Sequence, residues 1–304
     1  MVLARDDPLA SKKTFHSFLL FYRSNSLDSR VVFIRIFWWL TLYLACITVT
    51  SAMEPLAKGI QDNSFLVEEA YNQEPGVVQH ILNLLLTSKA GQKETFASFT
   101  QEWPIFSQQH QFSYTVPHTV VEDEHGFEDI RLNYRFQALM EGPQNPAFAP
   151  RFSLVVPTGD ADKGFGHDRL GYEINLPFSK IVSDRWTLHF NAGGSLFPNV
   201  RDRDLWNYNL GASAIYAVSA NFNLMIESVA FWEEDVDESR QVDRSVTALL
   251  SPGARYAFNL RNDAQLVVGF AVPIGLTSDS PEYGFFFYCS FEHPFLRPRP
   301  DPGK

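Results

Sequence analysis

The sequence predicts an all-β chain, an antiparallel transmembrane β-barrel of about twelve strands preceded by a signal peptide. Three observations carry this. From about residue 77 onward apolar and polar residues alternate with period two; a single amino-terminal stretch is continuously apolar; and aromatic residues collect at the ends of the alternating segments. Composition agrees. With 45% hydrophobic, 14% aromatic and 20% charged residues in 304, the chain is too apolar for disorder and too poor in long apolar runs for a bundle of membrane helices. A net charge of −10 argues against a nucleic-acid surface, which needs clustered Lys and Arg to displace phosphate counterions. Two cysteines cannot make a disulfide scaffold.

Residues 1–52 read as a leader. Arg30 and Arg35 precede an apolar run of 14 residues, Ile36 to Val49, and the small residues Thr50, Ser51 and Ala52 follow it. A membrane-crossing helix needs roughly 20 apolar residues, whereas a shorter core between a basic flank and small residues fits a signal peptide cut after Ala52. The alternative is an uncleaved anchor helix that extends the run back across Arg35 to Val31. Residues 1–30 are polar and aperiodic, which suits a translation start nearer Val31 or Val32. Removing the leader takes away six basic and three acidic residues, moves the charge from −10 to −13, and leaves Cys289 alone. Residues 53–76 then form an amino-terminal arm on the periplasmic side, or a plug folded into the lumen, and residues 296–304 form a Pro-rich tail.

The barrel itself is assigned to residues 77–295. Ile130, Leu132, Tyr134, Phe136, Ala138 and Met140 alternate with Asp129, Arg131, Asn133, Arg135 and Gln137; a helix cannot gather either set on one face, but a strand puts them on opposite faces. The same pattern recurs in 170–178, 186–196 and 205–217, and about twelve segments of this kind can be marked. Each is near the roughly 9–11 residues that a tilted strand needs to cross a bilayer. The links at 180–185, 218–221 and 259–264 are tight, while those at 158–169, 197–204 and 233–243 are longer and polar, the asymmetry of an outer-membrane barrel with both chain ends in the periplasm.

Belts of aromatic residues test that assignment, because rings on the lipid face of such barrels sit at headgroup level. On the short-turn side the apolar face ends in Trp103, Trp186, Tyr216, Tyr256 and Phe295; on the long-loop side it ends in Trp206, Tyr208, Trp232 and Tyr283. A soluble β-sandwich also alternates but gives no reason for two belts. Outer-membrane lipids and lipopolysaccharide are therefore the expected surroundings, and the aromatic final strand suits insertion by the barrel-assembly machinery.

The opposite face carries Glu102, Arg131, Arg135, Arg151, Glu173, His189, Glu227, Arg255 and Glu292. Twelve strands fall between an eight-stranded barrel filled by side chains and a 16-stranded one with a water channel. Two compatible readings follow: the charges pair and seal the interior, or Arg131, Arg135, Arg151 and Arg255 on one wall face carboxylates on another and select polar solutes. The sequence shows no P-loop, dinucleotide fingerprint or zinc spacing, so no cofactor, metal or catalytic residue is expected. His118 with Thr119, and His293 with Ser290, come nearest to a nucleophile and base, and the second pair has opposite strand parity. The acidic stretches 122–129 and 233–243 read as solvated loops, though carboxylates there could bridge calcium to lipopolysaccharide.

A set of motifs resembles the outer-membrane transporters grouped under the phenol meta-degradation pathway. It comprises Phe65–Glu74 leading into Gly76–His80, then Phe99–Pro104, His110–Pro117, Glu128–Arg135, Phe152–Asp160 and the closing Ser290–Phe295. The resemblance spans roughly residues 60–295 and implies a monomeric outer-membrane barrel, a passive channel for small solutes, aromatic or hydrophobic ones among them, with no catalytic residues to carry over. The chain departs from the pattern in its long leader and in the apolar stretch Leu82–Gly91. The rivals are a sealed structural barrel and a lipid-modifying outer-membrane enzyme.

Overall fold

The computed structural model describes residues 60, 64–237 and 239–295; the leader and the Pro-rich tail lie outside the described residues. Fifteen strands follow in order: β1 (Val77–Lys89), β2 (Gln92–Ile105), β3 (Ser107–Val121), β4 (Glu124–Phe127), β5 (Ile130–Phe136), β6 (Ala147–Phe148), β7 (Arg151–Val156), β8 (Gly171–Ile181), β9 (Trp186–Val200), β10 (Arg203–Ser219), β11 (Phe222–Val236), β12 (Val242–Asn259), β13 (Gln265–Ala271), β14 (Ile274–Gly275) and β15 (Tyr283–Pro294). β4, β6 and β14 are short additions to neighbouring strands. The other 12 form one antiparallel sheet in sequence order.

That sheet closes on itself. β1 pairs with β15 from Val77↔Pro294 to Ser88↔Tyr283, so no strand edge is left to be satisfied by water, the condition for spanning hydrocarbon. No described helix is long and apolar enough to cross a membrane; the strands do the crossing.

Strand parity separates two environments. The outer face exposes large apolar side chains around most of the barrel, among them Leu132, Phe152, Ile174, Leu210, Ile226, Phe270 and Phe287. An apolar surface of that extent belongs against lipid. Inside, Gln79, Ser113, Asn133, Asn175, Ser213 and Ser251 are buried, and the apolar clusters are small. The largest gathers Phe65, Ile81, Met225, Val267, Phe286 and Tyr288.

Several boundaries differ from the sequence expectation; the expected link 233–243, for one, shrinks to 237–241, because β11 runs to Val236 and β12 starts at Val242. The alternation continues to Met140, yet β5 stops at Phe136, because Pro143, Pro146 and Pro150 have no N–H for the ladder; beyond it a bond from Gln137 N–H to Gln109 O and the Leu139↔Phe148 bridge persist. The polar stretch 197–204 is not a loop: β9 and β10 run through it to a two-residue turn, Arg201 and Asp202, both at positive φ. Loop lengths are also less lopsided than expected, since residues 137–150 make a long connection at the end of the barrel that bears both termini, while Ala90 and Gly91 make a tight turn at the far end.

Candidate functional site

The interior is crossed by the chain's own residues 64–73. Ser64 Oγ lies 2.7 Å from Ser213 Oγ on β10. Phe65 enters a pocket against Phe286 and Tyr288, ring centroids 5.4 and 5.3 Å away. Two glycines make room for it: a Cβ on Gly269 would stand 2.3 Å from the Phe65 ring and one on Gly253 would stand 2.9 Å away. The main chain then meets one inward side chain after another. Leu66 and Val67 donate their N–H groups to Glu227 Oε1 at 2.9 and 3.1 Å. Glu68 N–H donates to Asn191 Oδ1 at 2.8 Å, and Asn191 Nδ2 donates back to Glu68 O at 2.7 Å. Ala70 N–H donates to Ser179 Oγ, Asn72 N–H to Gln137 Oε1 and Gln73 N–H to Gln111 Oε1, at 2.7, 3.0 and 2.7 Å. A segment with no sheet of its own must satisfy its buried N–H groups in this way.

Glu68 is the electrostatic centre. Its carboxylate receives Arg135 Nη1 at 3.1 Å, Arg151 Nε at 2.9 Å and Asn175 Nδ2 at 2.7 Å. Arg151 also donates to Glu173 at 2.6 Å, which Arg131 approaches at 3.7 Å. Arg135 reaches Glu102 at 3.8 Å and donates to Asn72 Oδ1, Glu69 O and Tyr71 O. Gln111 ties Glu102 in at 2.7 Å. Each charge of this cluster therefore has a partner of the opposite sign, and Glu68, Glu102, Arg135 and Arg151 make further hydrogen bonds, the condition under which buried charges persist.

All nine inner-face residues named from the sequence point inward, but they do not form one constriction. Glu102, Arg131, Arg135, Arg151 and Glu173 converge on Glu68. The arginines of β5 and β7 meet carboxylates of β2, β8 and the crossing segment, rather than facing carboxylates across an open lumen. Glu227 holds the segment from the other side. His189 is buried with Nδ1 2.7 Å from Ser179 Oγ. Arg255 is buried on β12 and Glu292 half-buried on β15. Sequence reasoning did not single out Glu68, Gln111, Gln137 or Ser179. The alternation put Gln137 on the polar face; nothing local marked any of the four as partners in contacts between the wall and a segment far away in the chain.

Above the crossing segment a cavity of about 660 Å³ opens toward the far end of the barrel. Leu66 and Glu68 line it from below, Phe96, Phe197 and Phe231 give it apolar wall, and Asn175, Asn191, Asn207 and Asn209 give it amide wall. Nearer the mouth stand Glu94, Glu233, Asp235, Asp243 and Asp279 with Lys89 and Arg244. One loop over this mouth is pinned at Asp129, whose carboxylate accepts Gly159 N–H and His167 N–H, each at 3.0 Å. Burial works against the charge there, but the bonds from His167 and Gly159 prevail and hold the Asp129 carboxyl below its usual range. The His167 ring stacks on Phe197 with centroids 3.9 Å apart.

On the outer face the nine aromatic residues expected in belts all point outward, near strand ends. Trp186 and Tyr216 are register partners with centroids 5.0 Å apart, and Tyr208 is opposite Trp232 on the next strand. His118 also faces out, 5.0 Å from the Phe127 ring, whereas Thr119 is buried inside and donates to Glu128 at 2.5 Å. Ser290 is buried while His293 faces out. Neither pair can act as nucleophile and base.

Known proteins give a consistent context. A family model described as "Putative MetA-pathway of phenol degradation" matches residues 87–286. No curated protein matches the chain. Among solved structures, an outer membrane channel from Pseudomonas putida F1 is similar with a TM-score of 0.56 at 13% identity, covering 74% of this chain and 97% of that one. The NanC porin gives 0.46 at 6% identity, covering 70% and 98%. A KdgM porin in complex with disordered oligogalacturonate gives 0.41 at 9%, covering 72% and 99%. The first of these shows a shared fold.

Proposed function

Since the chain belongs to the family of the MetA-pathway of phenol degradation, we propose that it is a passive outer-membrane channel for small solutes in a Gram-negative bacterium. The observation that carries this is the cavity above Leu66 and Glu68, open at the far end and floored by residues 64–73. A solute enters from outside, rests in the cavity, and passes when those residues move aside. Apolar rings beside rows of asparagine suit small amphipathic molecules, aromatic ones included, which need apolar contact together with a few hydrogen-bonding groups.

The outward aromatic residues sit at headgroup level, so outer-membrane lipids and lipopolysaccharide surround the barrel. The barrel-assembly machinery inserts it and it works as a monomer, its apolar outer face being covered by lipid. The similar solved structure from Pseudomonas putida F1 is a channel, and the opposed faces of His118 and Thr119 speak in the same direction.

Planar-bilayer recording tests the reading. Reconstituted full-length protein is expected to conduct in brief, infrequent openings, and replacing Arg135 by Ala, which removes four of the bonds to the crossing segment and Glu68, should lengthen them. A second reading, the sealed structural barrel, draws on the complete pairing around Glu68. Silence in both proteins would favour it.

A further inference from the structure

Where the first and last strands join, two histidines of the outer face meet. His80 on β1 and His293 on β15 approach with Nε2 atoms 3.3 Å apart and ring centroids 5.4 Å apart. We propose that this pair is a binding site for a divalent transition metal, Zn²⁺ in the first instance, which staples the closing seam of the barrel near the end that bears both termini.

Three features support it. The first is spacing. Two nitrogens each about 2.0–2.1 Å from a tetrahedral Zn²⁺ stand about 3.3–3.4 Å apart, so the rings already hold the separation that a shared ion requires. The second is the proton. His293 Nδ1 lies 3.2 Å from the carbonyl oxygen of Pro294; a carbonyl only accepts, so Nδ1 carries the hydrogen and the neutral ring turns the lone pair of Nε2 toward His80. A metal-ligating histidine is ordinarily fixed this way, by a carbonyl on its other nitrogen. The third is rigidity. The His80 ring is flanked by Phe99 and Phe291, each 6.3 Å away, and the His293 ring packs on Phe291 at 5.1 Å.

In the metal-free chain an N–H···N contact holds the two rings together, so the half-site persists without the ion. Imidazole suits zinc, copper and nickel, and water completes the coordination, as both rings are only partly buried at the surface. Binding adds a link between residues 213 positions apart in the chain, at the one junction of the barrel that no turn connects. An ion that binds only the folded chain stabilises it in proportion to the logarithm of its concentration over Kd.

The test uses refolded full-length protein in detergent, with no affinity tag. Calorimetric titration with Zn²⁺ is expected to show one equivalent bound, and thermal unfolding is expected to shift upward with Zn²⁺ and back with chelator. His80→Asn and His293→Asn should each weaken binding by roughly tenfold or more, since even losing an outer partner of a ligand costs about that much. A double His118→Ala/His125→Ala variant should bind as the parent does. Copper in place of zinc supplies a readout that needs no variant, an electron-paramagnetic-resonance spectrum with two imidazole nitrogens. Absence of binding by the parent, binding unchanged in both single variants, or a copper spectrum without paired nitrogens overturns the proposal. None of these outcomes bears on conductance.

Discussion

Glu227 Oε1 accepts the backbone N–H of Leu66 at 2.9 Å and, from the same oxygen, that of Val67 at 3.1 Å. One fully buried carboxylate on β11 thus holds two consecutive peptide groups of the crossing segment. Replacing Glu227 by Ala leaves both N–H groups without an acceptor, at roughly 1–3 kcal/mol for each unsatisfied group. About 1.4 kcal/mol changes an equilibrium tenfold, so the segment should leave its place at least tenfold more often. Single-channel recording should show that as a higher open probability at unchanged unit conductance.

Phe65 anchors the same segment by packing. Truncating a buried Phe to Ala typically costs about 3–5 kcal/mol, but the ring in question belongs to the segment rather than to the wall. The barrel ladder stays intact in Phe65→Ala, and the loss should appear as opening of the channel. Folded and unfolded bands on semi-native gels should keep the melting behaviour of the parent while conductance rises. Gly269→Ala should move in the same direction, since its new Cβ would intrude 2.3 Å from the ring.

Arg151 bridges Glu68 of the segment and Glu173 of β8. Arg151→Gln leaves two carboxylates on the cavity floor short of a cation, and breaking a buried pair from one side costs about 3–5 kcal/mol. The added negative charge should raise the cation preference of the channel, read as a more cation-selective reversal potential in a salt gradient.

Asp129 pins the loop 157–170 to the barrel mouth through Gly159 and His167. Its carboxyl is depressed in the folded protein. The stabilisation is therefore fully present above the ordinary aspartate value and is lost as pH falls through the lower folded one. Protection of the Gly159 and His167 amides, taken relative to their intrinsic exchange rates at each pH, should be high at neutral pH and fall only in acid, below about pH 4. In Asp129→Asn the protection should be low already at neutral pH.

The walls were legible in the sequence and the interior was not, for a physical reason. Alternation such as Ile130 to Phe136 follows from one wall meeting lipid and polar interior in turn, and a period of two survives in any single segment. The bonds of Leu66 to Glu227 and of Glu68 to Arg151 join residues 161 and 83 positions apart. They leave no periodic trace, because any inward polar residue would read the same. The end of β5 at Phe136 lay between these cases. The alternation runs on to Met140, while the ladder fails where Pro143, Pro146 and Pro150 offer no N–H. The turn at Arg201 and Asp202 was hidden because neither residue is the Gly or Asn that usually marks a positive-φ hairpin.

The most exacting prediction concerns the outer face, since everything said of the interior presumes lipid outside. Ile226 lies near the middle of β11, outward and 44% exposed, while its neighbours Glu227 and Met225 are buried. In water, replacing an exposed Ile by Arg would be nearly neutral, and in a soluble β-protein it would improve solubility. In a bilayer, an Arg at midplane depth on the lipid face costs about 2–4 kcal/mol. Arg at the belt position Tyr256 should cost about 0–1 kcal/mol, because its side chain reaches the headgroups there. Denaturant titrations of the folded protein in lipid vesicles should therefore rank parent and Tyr256→Arg close together, with Ile226→Arg far below. Equal stability of the two variants would mean that the apolar face meets something other than hydrocarbon, and the channel reading would fall with it.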